Sequence, residues 1–419
     1  MKTKYTLFEE ALRQELIPAM GCTEPIAIAY CAAVAREELG YFPENVEIWV
    51  SRNIIKNVKS VVVPNTGKMK GIEVACAAGI VAAHPERKLE VLAHITDEEK
   101  TAIRKLAQAG IMRIHVSEEP DIFYIRILVS AEGKSAEVTI RTDHTNITSI
   151  KKNGITVMEK PVIPEEESSA DGWSIEEVIH AAKNMPLDYA APLLKRQIEY
   201  NMAISEEGLA NDYGASIGKI LLSHDALSIR TQARATAAAG SDARMNGCEL
   251  PVVIVSGSGN QGITASVPVV VYARKMQVSE EKMLRAVLLS DLVTIYLKQG
   301  IGKLSAYCGA ISAGCGSGAG IAYLFGCNDQ QIEHAVENAL AINSGIICDG
   351  AKSSCAAKIA MAVEGGLLGL DMSVAEHNFS GGDGIVQETP DETIAAVGKI
   401  ASQGMVETDK EIIDVMLGI

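Results

Sequence analysis

Aromatic side chains are scarce in this chain: Phe, Trp and Tyr make up 4% of 419 residues, while glycine alone contributes 36. That balance argues against aromatic-rich strands and for helices packed closely through small residues. Positive charge is in short supply as well. The formal net charge is −15 and no compact basic cluster offsets it, which excludes sequence-independent binding to nucleic acid. No apolar signal core follows the amphipathic opening MKTKYTLFEEALRQEL, so the chain is expected in the cytoplasm. Long Leu/Ile/Phe-rich runs are lacking too. The stretches 304–328 and 250–273 carry no charge and have the length to span a bilayer. The first, however, is mostly Gly, Ala, Ser and Cys, and the second contains Pro251, Ser256, Asn260, Gln261 and Pro268. Both read as segments buried in a protein that makes no membrane contact. Disulfides are not indicated either: nine cysteines, an odd number in a cytoplasmic-looking chain, point to thiols and metal.

The length admits two domains, and the texture of the chain divides accordingly. Residues 6–38 read as two helices broken at PAMGCTEP, and residues 1–42 are expected to form a helix pair that docks on the later helical domain. From 43 to 160, NVEIWVSRN, KLEVLAHIT, MRIHVSE, FYIRILVSA, AEVTIRTDH and TSIKKNGITVME carry strand patterning. Helices are expected near 69–84 and 96–108, the latter with Thr96 as N-cap. The turn VVVPNTGKMKG within this region is a weak candidate cradle for an anion. His84, His94, His115 and His144 show no ligand spacing. PVIPEEESSADG, 161–172, reads as a linker. Residues 173–419 show helical periodicity almost throughout. The predicted class is therefore α+β, a smaller sheet-and-helix domain joined to a larger, mostly α-helical one.

Chemistry-bearing residues concentrate in 304–358, which holds five of the nine cysteines. Cys315 in AGCGSG, Cys348 in IICDGAK and Cys355 in KSSCAAK sit in contexts read as loops, two of them with glycine close by. Glycine lets backbone fold closely around a metal. A helical pattern, NDQQIEHAVENALAINSG, would return the second cysteine loop alongside the first. The competing reading is of buried small apolar residues, and it is preferred for Cys327 and Cys31. Cys22, in GCTEP, precedes a helix N-terminus, where the dipole favours thiolate over thiol. In VSGSGNQGITASVP, three glycines around Asn260 and Gln261 suit a carboxylate or phosphate, without the Gly-Lys-Ser/Thr of a P-loop.

With Cys22 in GCTEP, GSGNQG at 257–262, Cys315 in SAGCGSGAG, and Cys348 and Cys355 in GIICDGAKSSCAAK, the sequence resembles the L-cysteine desulfidase family. That family is related to the alpha chain of the iron–sulfur L-serine dehydratases, and the resemblance covers essentially the whole chain. It implies a [4Fe–4S] cluster on three cysteines, falling here on Cys315, Cys348 and Cys355, with one iron open to substrate. The interval from Cys348 to Cys355 is shorter than in the serine dehydratases, and IIDVMLGI lacks the terminal cysteine some of them carry. Both features favour cysteine over serine. The implied reaction is β-elimination of L-cysteine to pyruvate, ammonia and sulfide. Cys22 is implied as the base or as a reversible fourth ligand. Ser258, Asn260 and Gln261 would hold the substrate's charged ends, Lys352 would stabilise charge, and Asp349 would orient its loop. An amino acid is the expected small-molecule partner, and a homodimer the default assembly. Two rivals remain at this level. One is a pyridoxal-phosphate lyase using GSGNQG as a phosphate cup; the other is a cluster-based redox or sulfur sensor acting through a protein partner.

Overall fold

The computed structural model describes residues 5–162, 172–302 and 305–418. The linker expected over 161–172 lies, apart from residues 161, 162 and 172, outside the described residues. The observed class is α+β, as the patterning predicts.

A six-stranded sheet occupies the N-terminal half. Its order is Met112–Val116, Asn45–Val50, Tyr124–Ala131, Lys134–Arg141, Ile147–Lys152 and Ile155–Glu159, with only the first pair parallel. The last two strands meet at Asn153–Gly154, where φ is +51° and +80°. Asn-Gly supplies the positive φ values that a tight hairpin needs. Helices Thr23–Leu39 and Ile72–Ala82 cover one face and share its apolar core. They pack closely because Gly79 has no side chain; a Cβ there would lie 2.0 Å from the Ala29 carbonyl oxygen.

Two expectations for this half need correction. KLEVLAHIT is not a strand: Pro85–Glu90 is a 3₁₀ segment in which Lys88 takes φ +50°. Val91 and Leu92, which supply its apolar signal, are buried from a turn instead. Nor does the N-terminal helix pair dock as a unit. Phe8, Ala11 and Leu12 of helix Thr6–Glu15 belong to the helical core, with Phe8 against the Trp173 ring. Helix Thr23–Leu39 is apolar on nearly every side and is enclosed by the sheet domain. A short strand, Pro18–Met20, separates them.

Helix Ala310–Phe325 runs through the middle of the helical half, held on two sides by glycine contacts. A Cβ on Gly314 or Gly318 would come within 2.3 or 2.7 Å of the Ala362 and Gly366 carbonyl oxygens on helix Cys355–Val374. On the other side, a Cβ on Gly316 or Gly320 would come within 2.4 or 2.6 Å of the Ser290 and Ala286 carbonyl oxygens on helix Glu280–Ile301. AGCGSGAG is therefore a helix with two faces that admit neighbouring backbone, as the abundance of small residues predicts. Among the described residues no helix is long and apolar enough to cross a membrane. The two halves are latched by the C-terminal helix Val406–Leu417, which lies on helix Arg52–Val58 through ion pairs Arg52–Asp414 and Lys56–Asp409.

Candidate active site

Strand Pro18–Met20 pairs antiparallel with Pro251–Val253, and this small ladder brings two cavity-lining segments side by side. One strand leads into GCTEP and the other into GSGNQG. Gly21 makes the turn at φ +62°, pressed so close to Pro64 that a Cβ would lie 2.3 Å from its Cγ. VVVPNTGKMKG thus backs this turn and does not itself line the cavity. Cys22 is the N-cap residue of helix Thr23–Leu39, yet its thiol donates to Glu24 Oε2 at 3.0 Å, which also accepts from Thr23 Oγ1. Burial pushes the Cys22 thiol well up, the Glu24 carboxylate pushes it further, and the Arg244 guanidinium opposes them. Burial therefore works against the depressed thiol that the helix N-terminus leads one to expect. Removal from water outweighs the dipole at this site.

Across the cavity, the cysteine segments are joined by backbone. Tyr307 and Ile347 form an antiparallel bridge, Cys308 N donates to Ile346 O at 3.2 Å, and Cys348 N donates to Ala306 O at 2.6 Å. Cys355 opens the helix that follows, with its sulfur 3.6 Å from Gly350 O. Cys308, Cys348 and Cys355 all line the cavity, as do Cys22, Ser258, Asn260 and Gln261. Its volume is about 120 Å³. That is several times the ~10–15 Å³ a single water needs on the same kind of measure. Burial and the neighbouring Cys348 raise the Cys308 thiol to about 12, and burial raises Cys355 as well. Lys298, also at the cavity, is lowered by burial to about 8, with Cys348 and Cys308 acting to keep it charged.

Cys315 and Lys352 are not brought to this cavity. Cys315 lies inside helix Ala310–Phe325, fully buried, its thiol driven up by desolvation. The glycines around it serve helix contacts, so the loop read from them is absent. Lys352 turns onto its own loop, bonding Asp349 O at 2.6 Å and pairing with the Asp349 carboxylate. Burial works against charge on Asp349, yet Lys352 and Lys358 hold its carboxyl below the usual range. The loop is in this way tied to itself. Cys31 is fully buried under the sheet, and Cys327 is half-buried against the helical core.

Sequence reading missed Cys308 and Arg244. For Cys308 a signal was available: it stands with Gly309 immediately before the helix, whereas Cys315 lies amid glycines spaced two apart, which alternate between two faces of that helix. Arg244 carries no motif. It ends helix Ile229–Met245 and is only 4% exposed. Its Nη1 donates to Asn260 Oδ1 at 3.2 Å, and its Nε is buried without a partner.

The residues present fit the cluster that the resemblance implies, with Cys308 in the place given to Cys315. Thiols are the donors that iron–sulfur clusters take. Three from two adjoining segments face one cavity, and a buried lysine is at hand to offset thiolate charge. Among the described residues no three His, Cys, Asp or Glu side chains close around a single ion. A cluster does not require that, because each thiolate binds its own iron.

Residues 86–414 match the family model described as serine dehydratase alpha chain. Among curated relatives, a UPF0597 protein of Desulfitobacterium hafniense (strain Y51) is 49% identical over 416 residues, which cover 99% of this chain and 97% of that one. A UPF0597 protein of Lachnoclostridium phytofermentans is 45% identical over 415 residues, 99% of this chain and 100% of its own length. One from Treponema denticola is 43% identical over 425 residues, covering 99% of each. The chain belongs to the serine dehydratase alpha chain family, and with it to a group of lyase-type enzymes.

Proposed function

We propose that this protein is an iron–sulfur lyase that eliminates sulfide from L-cysteine, giving pyruvate and ammonia. The observation that carries the reading is the convergence of Cys308, Cys348 and Cys355 with Cys22 and the Ser258–Gln261 segment on one cavity. In this reading Cys308, Cys348 and Cys355 hold a [4Fe–4S] cluster. When bound, that cluster supplies a Lewis-acidic iron for the departing sulfur.

The protein's own residues would do the rest. Ser258, Asn260 and Gln261, at the start of helix Gly259–Lys275, orient the substrate's charged ends. The Cys22 thiol, held by its hydrogen bond to the Glu24 carboxylate, serves as the base once ionised, a state that the Arg244 guanidinium favours against burial and Glu24. As thiolate it removes the Cα proton, and the C–S electron pair departs with sulfide. Aminoacrylate released from the site tautomerises to an imine and hydrolyses to pyruvate and ammonia. Lys298 balances negative charge gathered at the cysteine segments.

The matched family favours a second reading, in which L-serine loses water by the same sequence. Anaerobic reconstitution with iron and sulfide, followed by parallel assays on L-cysteine and L-serine, separates the two. The proposal expects sulfide and pyruvate in equal amounts from cysteine, well in excess of pyruvate from serine. Cluster-loaded protein that forms pyruvate from serine but no sulfide from cysteine would refute it.

A further inference from the structure

Among the described residues, four cations line the cavity, against one acid, Glu24. Lys56 is paired with Asp409 and Lys358 with Asp349, while Lys298 donates to the Gly302 carbonyl oxygen. Arg244 remains. Among the described residues it has no carboxylate partner; Glu24 is hydrogen-bonded to Cys22 and Thr23 instead. Arg230 and Arg141, by contrast, each meet two carboxylates. A guanidinium this buried, with its Nε unsatisfied, is costly unless an anion joins it.

Its surroundings are built to receive one. Gly259 makes room for the guanidinium: a Cβ there would lie 2.4 Å from Nε and 2.8 Å from Cζ. The Asn260 side chain fixes the plane of the fork through Nη1. Helix Gly259–Lys275 begins at the same place, and Ser258 does not cap it with its side chain. First-turn N–H groups are therefore free for an anion. Gln261, 5% exposed with Oε1 unpartnered, offers an acceptor beside these donors. The guanidinium is also near enough to Cys22 to favour its thiolate.

We infer that Arg244 is the anchor for the α-carboxylate of the substrate, with the first turn of helix Gly259–Lys275 completing the site and Gln261 Oε1 accepting from the α-ammonium. This rests on the lyase reading above and deepens it. With its carboxylate held at Arg244 beside Cys22, the amino acid turns its side chain towards the cysteine segments. The site then selects α-amino acids and rejects amines that lack the carboxylate.

The test is calorimetric titration of the anaerobically reconstituted protein with L-alanine, which has no leaving group, and with ethylamine, which lacks the carboxylate. Wild-type protein is expected to bind L-alanine far more tightly than ethylamine. In R244Q the Kd for L-alanine should rise about 30-fold or more, the usual scale for removing one partner of a buried charge pair. Iron content should stay at the wild-type level. R244K keeps the charge without the fork and should bind L-alanine about tenfold more weakly than wild type, which preserves the test where R244Q does not fold. L-alanine bound by R244K or folded R244Q as tightly as by wild type overturns the anchor. So does a wild-type protein indifferent between the two ligands. Wild type that binds L-alanine through Arg244 yet releases no sulfide from L-cysteine would support the anchor and refute the lyase reading.

Discussion

Gly350 is where the cysteine loop touches the other half of the molecule. Its φ is +91°, and an added Cβ would lie 2.1 Å from the Lys56 carbonyl oxygen and 2.9 Å from its carbon. Gly350→Ala thus meets two penalties. Holding an L side chain at positive φ costs about 1–2 kcal/mol. Driving a methyl into fixed backbone costs about 1–3 kcal/mol, because helix Arg52–Val58 is itself held by the C-terminal helix. Together these give a destabilisation of about 2–5 kcal/mol. Relief requires the loop to withdraw from that helix, taking Cys348 and Cys355 with it, so iron affinity should fall too. Gly345→Ala is the internal control. Gly345 is exposed in the same segment, has no atom within 4 Å of an added Cβ, and is not at positive φ. Urea unfolding and iron titration of both variants decide the matter. Gly350→Ala with wild-type midpoint and iron content, or Gly345→Ala as damaging as Gly350→Ala, would refute this account of the loop.

Asp291 is fully buried in the helical core, bonded by Gln197 Nε2 at 2.9 Å, with burial raising its carboxyl to about 8. Between pH 4 and 8 the folded state therefore retains a proton that the unfolded state has lost. Its contribution to stability falls as pH rises through that window, by up to about 1.4 kcal/mol per unit, and levels off above it. Asp291→Asn should remove this slope, so the variant should gain on wild type from pH 5 to 8 in urea unfolding; parallel pH profiles would show that Asp291 is charged in the fold. Cys22→Ser should keep most of the iron while turnover falls by about two to four orders of magnitude, the scale of a positioned base. Loss of the cluster in that variant would make Cys22 a ligand instead, and undiminished turnover would remove it from the mechanism.

The fold was legible where local chemistry and tertiary setting agree. Alternating β-branched runs became strands, and Thr96 forms a full capping box with Glu99. KLEVLAHIT misleads because Val91 and Leu92 owe their burial to the core beneath a turn, which alternation does not encode. Of the site, the meeting of GCTEP, GSGNQG and the second cysteine loop was legible, although the ladder between residues 18–20 and 251–253 was not. Cys315 was misread because glycine serves two ends: it frees a loop, and it lets a helix approach its neighbours. Only the contacts at Gly314, Gly316, Gly318 and Gly320 show which applies. Arg244 is invisible in sequence because what distinguishes it is the absence of a partner.

The central claim is that Cys308, Cys348 and Cys355 hold the cluster and Cys315 does not. Iron and acid-labile sulfide counted after anaerobic reconstitution of C308A, C315A, C348A and C355A test it most directly. The account predicts loss of the cluster in C308A, C348A and C355A, and wild-type content in C315A. A C308A protein that keeps its iron while C315A loses it would contradict the account.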